Sequence, residues 1–492
     1  MQALKKHLLL ALAILLIGCT TVTPNSTTTT LTTAAATLLA NLAPFSDTTG
    51  TLATYTTAGQ IDESTAFFQP LGSNQRTCVT CHQPSQAMSL SAAATTALFT
   101  STNGTDPLFT AIDGANCPAT AITGDTTSHS LILTKGLIRI PVELPAGTQF
   151  TLTVFSDPYG CALSIDPTTD RQIVSTYRRP LPTSSLAYLS NIMWDTRETT
   201  AALTTASTFD ANLTTDLTAQ LLSAVSTHEQ GTTTPTAAQI SAVLALEQSL
   251  YTTQTTDNAA GSLTANGATG GPSNLAAFNF YPGINDAFGG DPQGKPFNPA
   301  VFTLYGSWQN SNNPAQASIA RGEGVFNTAP MQITNVRGIN DNPALGSPAN
   351  LKGSCSFCHD TPNVGNHSLP LPLDTGTPRL AATETDPNIL AGLAQLTAPQ
   401  LPVYQITGCT GANNKPVTYT TTDPGKALFT GLCADVNRVK LPILRGLAAR
   451  APYFHNGSAN DLTQLVNFYN ARFQMNLNPG QKTDLINFLN AL

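Results

Sequence analysis

The chain carries the stretch Cys78-Val79-Thr80-Cys81-His82 and repeats its pattern as Cys355-Ser356-Phe357-Cys358-His359. In a Cys-x-x-Cys-His pentapeptide the two thiols form thioethers to the two vinyl groups of one porphyrin, and the histidine is placed to ligate its iron. A lone Cys-x-x-Cys would equally suit half a zinc site or a redox dithiol. Because both copies end in histidine, we predict two covalently bound c-type haems, with His82 and His359 as iron ligands.

The composition is typical of a large exported protein. The 492 residues allow two or three domains, and only 10% of them are charged while 41% are hydrophobic. The net charge of −7 disfavours a nucleic-acid partner.

The N-terminus has the pattern of a signal peptide. Lys5 and Lys6 precede an uncharged apolar run that is too short to cross a bilayer. Leu16-Ile17-Gly18-Cys19 resembles a bacterial lipobox, which implies cleavage after residue 18 and a lipid on Cys19. We therefore expect a protein of the periplasm or cell surface that meets the membrane only through this lipid.

The fold class that these patterns predict is mainly α, with two c-type cytochrome domains and a small β-rich insertion in the first. Residues 19–44 are rich in Thr and Ala and read as a flexible stalk. The first haem domain is predicted at 45–254, with the insertion at about 83–175. A connection rich in Gly, Pro and Asn follows at 255–313, and the second haem domain occupies 314–492.

Periodicity places the main elements within this plan. Strand-like runs inside the insertion are Leu131-Ile132-Leu133, Leu137-Ile138-Arg139-Ile140 and 150–155. Helical patterns occupy 186–250, 462–473 and 481–492, and Arg321 to Phe326 resembles the helix start that precedes the haem motif in many c-type cytochromes. Pro-rich loops are expected between His359 and about residue 424.

Four cysteines remain after the haem and lipid sites are assigned: Cys117, Cys161, Cys409 and Cys433. An oxidising compartment favours disulfides among them, and three pairings exist. We favour Cys117–Cys161 and Cys409–Cys433, because each pair falls inside one predicted domain. The alternative is four free buried thiols.

Three further segments resemble a known family. Leu441-Pro442-Ile443-Leu444-Arg445-Gly446-Leu447 and Ala451-Pro452-Tyr453-Phe454-His455-Asn456-Gly457 resemble the C-terminal haem domain of bacterial di-haem cytochrome c peroxidases and MauG-type enzymes. Met193-Trp194-Asp195-Thr196-Arg197 resembles the Trp-Asp-Gly-Arg segment of the family's N-terminal domain. The haem motifs and these landmarks stand in the family's order. The resemblance excludes the insertion, the connection and the loops at 365–424.

The resemblance implies roles around the second haem. Tyr469 lies fourteen residues after His455, where the family's peroxidases have a methionine ligand and MauG-type members have a tyrosine. Tyr469 is therefore the expected sixth ligand of the second iron, and Met475 is its rival. A packing role is the alternative, since Tyr469 shares an apolar helix face with Leu462 and Val466. Arg445 and His455 resemble residues near haem propionates.

The resemblance also implies a peroxide site over the first haem. Family members place a glutamate about ten residues after a glutamine, and here Gln220 is followed by His228 and Glu229. Either residue could relay a proton between the peroxide oxygens, and His228 could instead ligate the first iron. Trp194 resembles the family's electron stepping stone between the two haems, although it also suits an apolar core.

The family further carries a calcium ion between its haem domains. The matching positions near Arg179 and Arg450 are basic here, which disfavours calcium.

Two functions follow as expectations. An enzyme of this family would bind hydrogen peroxide at the first haem and draw electrons through Trp194 and the second haem. A small periplasmic redox protein would supply those electrons, or a residue of a partner protein would be oxidised in the MauG-like mode. The alternative is a non-enzymatic di-haem electron-transfer cytochrome with both irons six-coordinate.

Overall fold

The computed structural model describes residues 38–199, 205–365, 367, 369–411 and 414–492. The predicted signal peptide, Cys19 and residues 19–37 of the predicted stalk lie outside this part. None of the described helices has the length and apolar composition that crossing a bilayer requires.

Strands are numerous in the described part of the chain, and all of their pairings are antiparallel. They are β1 (Leu38–Ala40), β2 (Pro44–Ser46), β3 (Gly50–Thr56), β4 (Gln60–Asp62), β5 (Ile138–Glu143), β6 (Thr151–Ser156), β7 (Leu163–Ile165), β8 (Gln172–Arg178), β9 (Leu250–Asp257), β10 (Gly261–Ser262), β11 (Met331–Ile333), β12 (Leu351–Gly353), β13 (Val403–Thr410) and β14 (Pro416–Thr421).

The α-helices of the same residues alternate with these strands and with short 3-10 turns. They are α1 (Ala92–Thr102), α2 (Ser130–Lys135), α3 (Phe209–Thr227), α4 (Ala237–Ser249), α5 (Pro272–Ala276), α6 (Pro314–Thr328), α7 (Cys355–Cys358), α8 (Pro387–Leu393), α9 (Ala427–Thr430), α10 (Leu462–Arg472) and α11 (Pro479–Asn490).

The prediction of a mainly α fold is wrong, because five small sheets accompany the helices in the described residues. The four-stranded sheet β10-β9-β3-β2 pairs residues near both ends of the predicted first haem domain. Its buried face carries threonines whose hydroxyls pair across the strands, such as Thr54 with Thr252 at 2.8 Å. A threonine hydroxyl that forms a hydrogen bond can be buried at little cost in free energy. These strands therefore lack the alternation of apolar and polar residues by which strands are predicted from sequence.

The β-rich insertion is not self-contained. Strands β5, β8 and β7 form one sheet, but β6 pairs with β13, which in turn pairs with β14. Strand β13 therefore lies in a region that was expected to consist of loops. Its Tyr404 and Ile406 are fully buried and contribute to the same apolar cluster as Leu152 of β6.

The run Leu131-Ile132-Leu133 belongs to helix α2 and not to a strand. All three side chains are buried. A short run in which every residue is apolar shows neither the helical nor the strand periodicity, so the sequence could not distinguish the two. The helix ends at Gly136, whose φ of 60° is left-handed.

The C-terminal helices are confirmed as α10 and α11. Asp461 caps α10 through Gln464 N at 2.8 Å, and Asn478 caps α11. Helix α11 packs against α6, which begins at Pro314 and so earlier than the predicted start at Arg321. The two helices cross closely at Gly322, where a Cβ would lie 1.9 Å from the carbonyl oxygen of Asp484.

One of the two predicted disulfides is present. Cys409 and Cys433 are bonded, which confirms that pair and ties β13 to the turn after α9. Cys117 and Cys161 are free thiols, so the prediction of a bond between them is wrong. Burial, and then the neighbouring Cys117 thiol, raise the pKa of Cys161 to about 12. The two thiols are therefore close to each other, although no disulfide joins them.

Candidate active site

Each haem motif lines its own cavity. Cys78, Cys81 and His82 line a first cavity of about 140 Å³. Cys355, Cys358 and His359 line a second cavity of about 140 Å³. Both exceed the few water-sized voids of an ordinary close-packed core, so each is a candidate binding site.

Local structure turns the first motif toward its cavity. Cys78–Thr80 form a 3-10 turn that Thr77 and Thr80 close reciprocally, so both thiols lie on one turn. The Nδ1 of His82 lies 3.2 Å from the carbonyl oxygen of Met88, which fixes that nitrogen as the donor. Burial lowers the pKa of His82 to about 4, so its ring is neutral. With its proton on Nδ1, the neutral ring has its lone pair on Nε2, the nitrogen that would ligate a metal.

The second motif is a short helix, α7, that begins at Cys355. His359 is 7% exposed, and burial lowers its pKa to about 4. A neutral buried imidazole and two thiols on one helical turn are the donor set that a covalent haem requires.

The two cavities share one wall. Residues that line both are Arg179, Pro180, Leu181, Pro182, Trp194 and Lys440. The indole Nε1 of Trp194 donates to the carbonyl oxygen of Arg179 at 2.7 Å, which fixes the ring within the wall. The sequence-predicted stepping stone therefore stands between the two motifs.

Buried cations border the same wall. Arg179 donates to the carbonyls of Lys135, Leu90 and Arg450, and burial lowers its pKa to about 9. Lys440 donates to the carbonyl of Asn191 at 2.6 Å, and burial lowers its pKa to about 7. A buried cation whose neighbours are neutral carbonyl groups can still form an ion pair with an anion that enters the cavity. Haem propionates are anions of this kind. The residues of both cavities therefore fit haem.

The two residues predicted near propionates occupy different positions. His455 lines the second cavity, and its ring lies 6.1 Å from that of Trp194. Arg445 is not part of either lining and donates to the carbonyl of Pro362 at 2.7 Å. Arg450 lines the second cavity instead, which the sequence reasoning did not anticipate.

The predicted peroxide residues come together in the first cavity. Gln220 lies on α3, His228 ends that helix, and Glu229 follows it, and all three line the cavity. Glu229 Oε2 accepts from the backbone N–H of Leu71 at 2.8 Å, and its Oε1 lies 3.8 Å from Cys78 Sγ. Burial raises the pKa of Glu229, while the Leu71 N–H opposes that rise.

A buried carboxylate that the sequence did not reveal orients His228. The Nδ1 of His228 lies 2.6 Å from Asp113 Oδ2, and Asp113 also forms a buried salt bridge with Arg76. Burial would raise the pKa of Asp113, but Arg76 and His228 lower it below its ordinary value. The carboxylate fixes the imidazole, as in sites where a carboxylate orients a catalytic histidine.

Glu247 is a second acidic side chain of the first cavity that the sequence reasoning missed. It lies on α4 and is 3% exposed. The available signal was a single acid among the apolar residues Val243, Leu244 and Leu246 of that helix.

Both candidate sixth ligands line the second cavity. Tyr469 of α10 is packed among the rings of Phe454, Phe468 and Phe473, with centroids 5.5–6.0 Å away. Met475 is 4% exposed and lies in the same lining. Burial, and then the Cys355 and Cys358 thiols, raise the pKa of Tyr469.

A buried ion network stands behind the shared wall. Arg178 is fully buried and binds both oxygens of Asp423 at 2.7 and 2.8 Å. It also donates to Asp195 at 2.5 Å. Asp423 Oδ2 lies 3.9 Å from His455 Nε2, so the network extends to the second cavity.

Comparison with known proteins supports the resemblance. No protein-family model matches the chain. Cytochrome-c peroxidase IdrP2 of Denitromonas iodatirespirans is 30% identical over 148 residues, which are 29% of this chain and 36% of that protein. The chain therefore spans about a third of the length of this curated relative. A solved structure described as a MauG-like protein associated with microbial copper homeostasis covers 68% of this chain and 79% of its own, at 14% identity. Its TM-score of 0.26 is too low to carry an argument.

The curated relative, which is named a cytochrome-c peroxidase, supports the resemblance to cytochrome c peroxidases that the motifs indicate.

Proposed function

We propose that this protein is a di-haem c-type oxidoreductase that uses hydrogen peroxide at the first cavity. The observation that carries the proposal is one cavity that contains a Cys-x-x-Cys-His motif together with Gln220, His228 and Glu229. An electron carrier needs no acid–base residues in its haem cavity, whereas cleavage of an O–O bond needs a proton relay. Haem bound here would supply the redox-active iron that accepts and passes electrons.

Glu229 is the proposed proton relay. Its Oε2 is held by the Leu71 N–H, so the position of the carboxyl is fixed relative to Cys78. Its raised pKa brings the carboxyl closer to the range in which it both accepts and donates protons near neutrality. His228, fixed by Asp113, is the second candidate for the same role.

Trp194 is the proposed electron route between the cavities. It belongs to the shared wall, and its indole is fixed by the hydrogen bond to Arg179. Electrons would enter from a small redox protein, or from a side chain of a partner protein that becomes oxidised.

We favour the second, MauG-like use of peroxide because Tyr469 lines the second cavity and also has the spacing after His455 that the family resemblance assigns to the sixth ligand. A phenolate ligand stabilises oxidised iron, whereas a thioether ligand such as Met475 stabilises reduced iron. An easily oxidised second site would share the oxidising equivalents with the first until a protein substrate discharges them.

We also propose that the protein is exported and anchored by a lipid on Cys19. The basic and apolar residues that precede Cys19 support this placement. The Cys409–Cys433 disulfide supports it too, since such bonds persist in oxidising compartments. Mass spectrometry of protein purified from membranes should find an N-terminal acylated cysteine.

An optical and electron paramagnetic resonance study of the purified holoprotein tests the proposal. We expect two haems per chain, a high-spin ferric signal from the first, and a spectral change on adding peroxide. The variant Cys78→Ala/Cys81→Ala should lose the first haem and the peroxide response, whereas Cys355→Ala/Cys358→Ala should lose only the second haem. Two low-spin haems that are inert to peroxide would contradict the enzyme and favour the electron carrier.

A further inference from the structure

Glu247 has an environment that structural needs do not explain. It lies in the last turns of α4, lines the first cavity and is 3% exposed. Its Oε2 is buried without a hydrogen-bond partner among the described residues. Buried polar groups are nearly always paired, because an unpaired one loses its hydration without compensation.

Glu229 and Glu323 show how this chain treats other buried acids. Glu229 accepts a backbone N–H, and Glu323 of α6 accepts the backbone N–H groups of Leu304 and Tyr305. Glu247 alone of these three has a carboxyl oxygen without a partner, and it lines the cavity that holds the first haem motif. The unpaired oxygen is therefore available to groups that enter the cavity.

We propose that Glu247 is the proton-donating acid of the first cavity and supplies protons that peroxide reduction consumes. This inference rests on the proposed function. It assigns Glu247 a role distinct from that of Glu229, which relays a proton between the two oxygens of one peroxide and therefore adds none.

The stoichiometry requires such a donor. Converting hydrogen peroxide to two waters consumes two electrons and two protons. Glu229 moves one peroxide proton to the other oxygen, so that oxygen leaves as water when the O–O bond breaks. The redox protein, or the partner side chain that becomes oxidised, supplies two electrons that reduce the remaining oxygen. The Glu247 O–H bond breaks as an O–H bond forms on this remaining oxygen. The carboxylate then takes a proton from solvent, and a second transfer supplies the second proton, which completes the second water.

The surroundings keep Glu247 protonated. Burial raises its pKa to about 8, so the neutral acid predominates at neutral pH. The titratable or charged groups that line the cavity with it are Glu229, His228, Cys78, Cys81, His82, Lys440, Arg76, Arg178, Arg179 and Arg197. Helix α3 and the turn Leu186–Tyr188, which pack against α4, also carry Asp210, Asp216 and Tyr188. Cys78, Glu229 and Glu247 line the same cavity, and Glu229 Oε1 lies 3.8 Å from Cys78 Sγ.

The test compares holoprotein with Glu247→Gln, Glu247→Asp and the control Glu323→Gln, all at verified haem content. In the parent protein, the steady-state rate of peroxide reduction to water should fall as pH rises through about 8. Glu247→Gln should be about 10²-fold slower at neutral pH and lose this dependence. Glu247→Asp should keep the dependence, and Glu323→Gln should match the parent. Infrared difference spectra at neutral pH should show a protonated carboxyl band that Glu247→Gln lacks.

The outcomes separate the two ideas. A parent protein that does not react with peroxide ends the proposed function, and this inference with it. A reactive parent whose Glu247→Gln variant keeps both the rate and the pH profile overturns the inference alone. Absence of the carboxyl band difference also overturns it, because Glu247 would then be ionised and unable to donate.

Discussion

Two carboxyl side chains in the first cavity differ in how the protein holds them. Glu229 is anchored by a backbone N–H, which favours its ionised form, whereas Glu247 has burial without a compensating donor. A proton relay must both take and give a proton, and a proton donor must hold one at neutral pH. The presence or absence of one backbone hydrogen bond thus gives the two glutamates different protonation behaviour and different proposed roles.

Replacement of Glu229 and His228 distinguishes the relay. If Glu229 is the relay, Glu229→Gln should slow the reaction with peroxide by about 10²–10⁴-fold while His228→Ala has a small effect. Stopped-flow spectroscopy measures both rates on protein in which both haem sites are fully occupied. Parental rates in both variants would show that the relay lies elsewhere.

The sixth ligand of the second haem is tested by Tyr469→Phe, with Met475→Leu as its matched control in the same lining. We expect Tyr469→Phe to change the low-spin paramagnetic resonance signal of the second haem and to raise its reduction potential if Met475 binds instead. Met475→Leu should leave both readings as they are in the parent. The reverse pattern would identify Met475 as the ligand and favour the peroxidase mode.

At the scale of elements, the segment after Pro70 clamps the end of helix α3. Leu71 N binds the Glu229 carboxylate, and Ser73 N donates to the Glu229 carbonyl oxygen at 3.0 Å. Gly72 passes between them so closely that a Cβ would lie 1.9 Å from that carbonyl oxygen. The relay is therefore positioned by a loop that is distant from it in the sequence.

Gly72→Ala should consequently displace Glu229. We expect a loss of about 1–3 kcal/mol in the free energy of unfolding from the overpacked contact, together with a slower reaction with peroxide. Gly324→Ala is the control, since its Cβ would meet open space on helix α6 and should stabilise the helix slightly. Denaturant unfolding and stopped-flow rates, measured on the same samples, check both effects. An unchanged peroxide rate in Gly72→Ala would contradict the positioning role of this loop.

The disulfide belongs to the same scale because it fixes β13, the strand that joins the insertion to the C-terminal half. Replacing Cys409 and Cys433 by Ala should lower the free energy of unfolding by about 3 kcal/mol, since the bridge restricts the unfolded chain. Chemical denaturation should show the loss, and adding a reductant to the parent should reproduce it. Cys161→Ala is the control, because Cys161 is a free thiol. This variant should lose the same free energy of unfolding on addition of reductant as the parent does.

At the scale of the molecule, one arginine joins the two halves. Arg178 ends β8, and its carboxylate partners are Asp195 nearby and Asp423 from the C-terminal half. Burial would raise the pKa values of both acids, but Arg178 lowers them below the ordinary range. Their contribution to stability is thus present above an unfolded pKa of about 4 and lost as pH falls through the folded values.

Arg178→Met should destabilise the protein by about 3–5 kcal/mol, because it leaves buried Asp423 without its arginine and Asp195 with Arg197 as its remaining cation. The effect should shrink at acid pH, where protonation removes those charges. Arg321→Met is the control, since Arg321 is half exposed in its pair with Asp484 and should cost at most about 1 kcal/mol. If both variants lost the same free energy of unfolding, the ion pairs of Arg178 would contribute no more to stability than an exposed ion pair does.

The sequence alone determined the chemistry that depends on local spacing. The haem pentapeptides, Trp194, the residues Gln220, His228 and Glu229, the C-terminal helices and the Cys409–Cys433 bond were all predicted from patterns or from the family resemblance. Such features are readable because a few residues of fixed type at fixed spacing carry the information.

Only the tertiary structure decided which distant residues meet. It paired β6 with β13, placed threonine-rich strands in a buried sheet and left Cys117 and Cys161 unbonded. It also brought Asp113 to His228, Leu71 to Glu229, and Glu247 into the first cavity without a partner for its Oε2. Burial and pairing set the pKa of each of these acids, and both depend on contacts between segments that lie far apart in the chain.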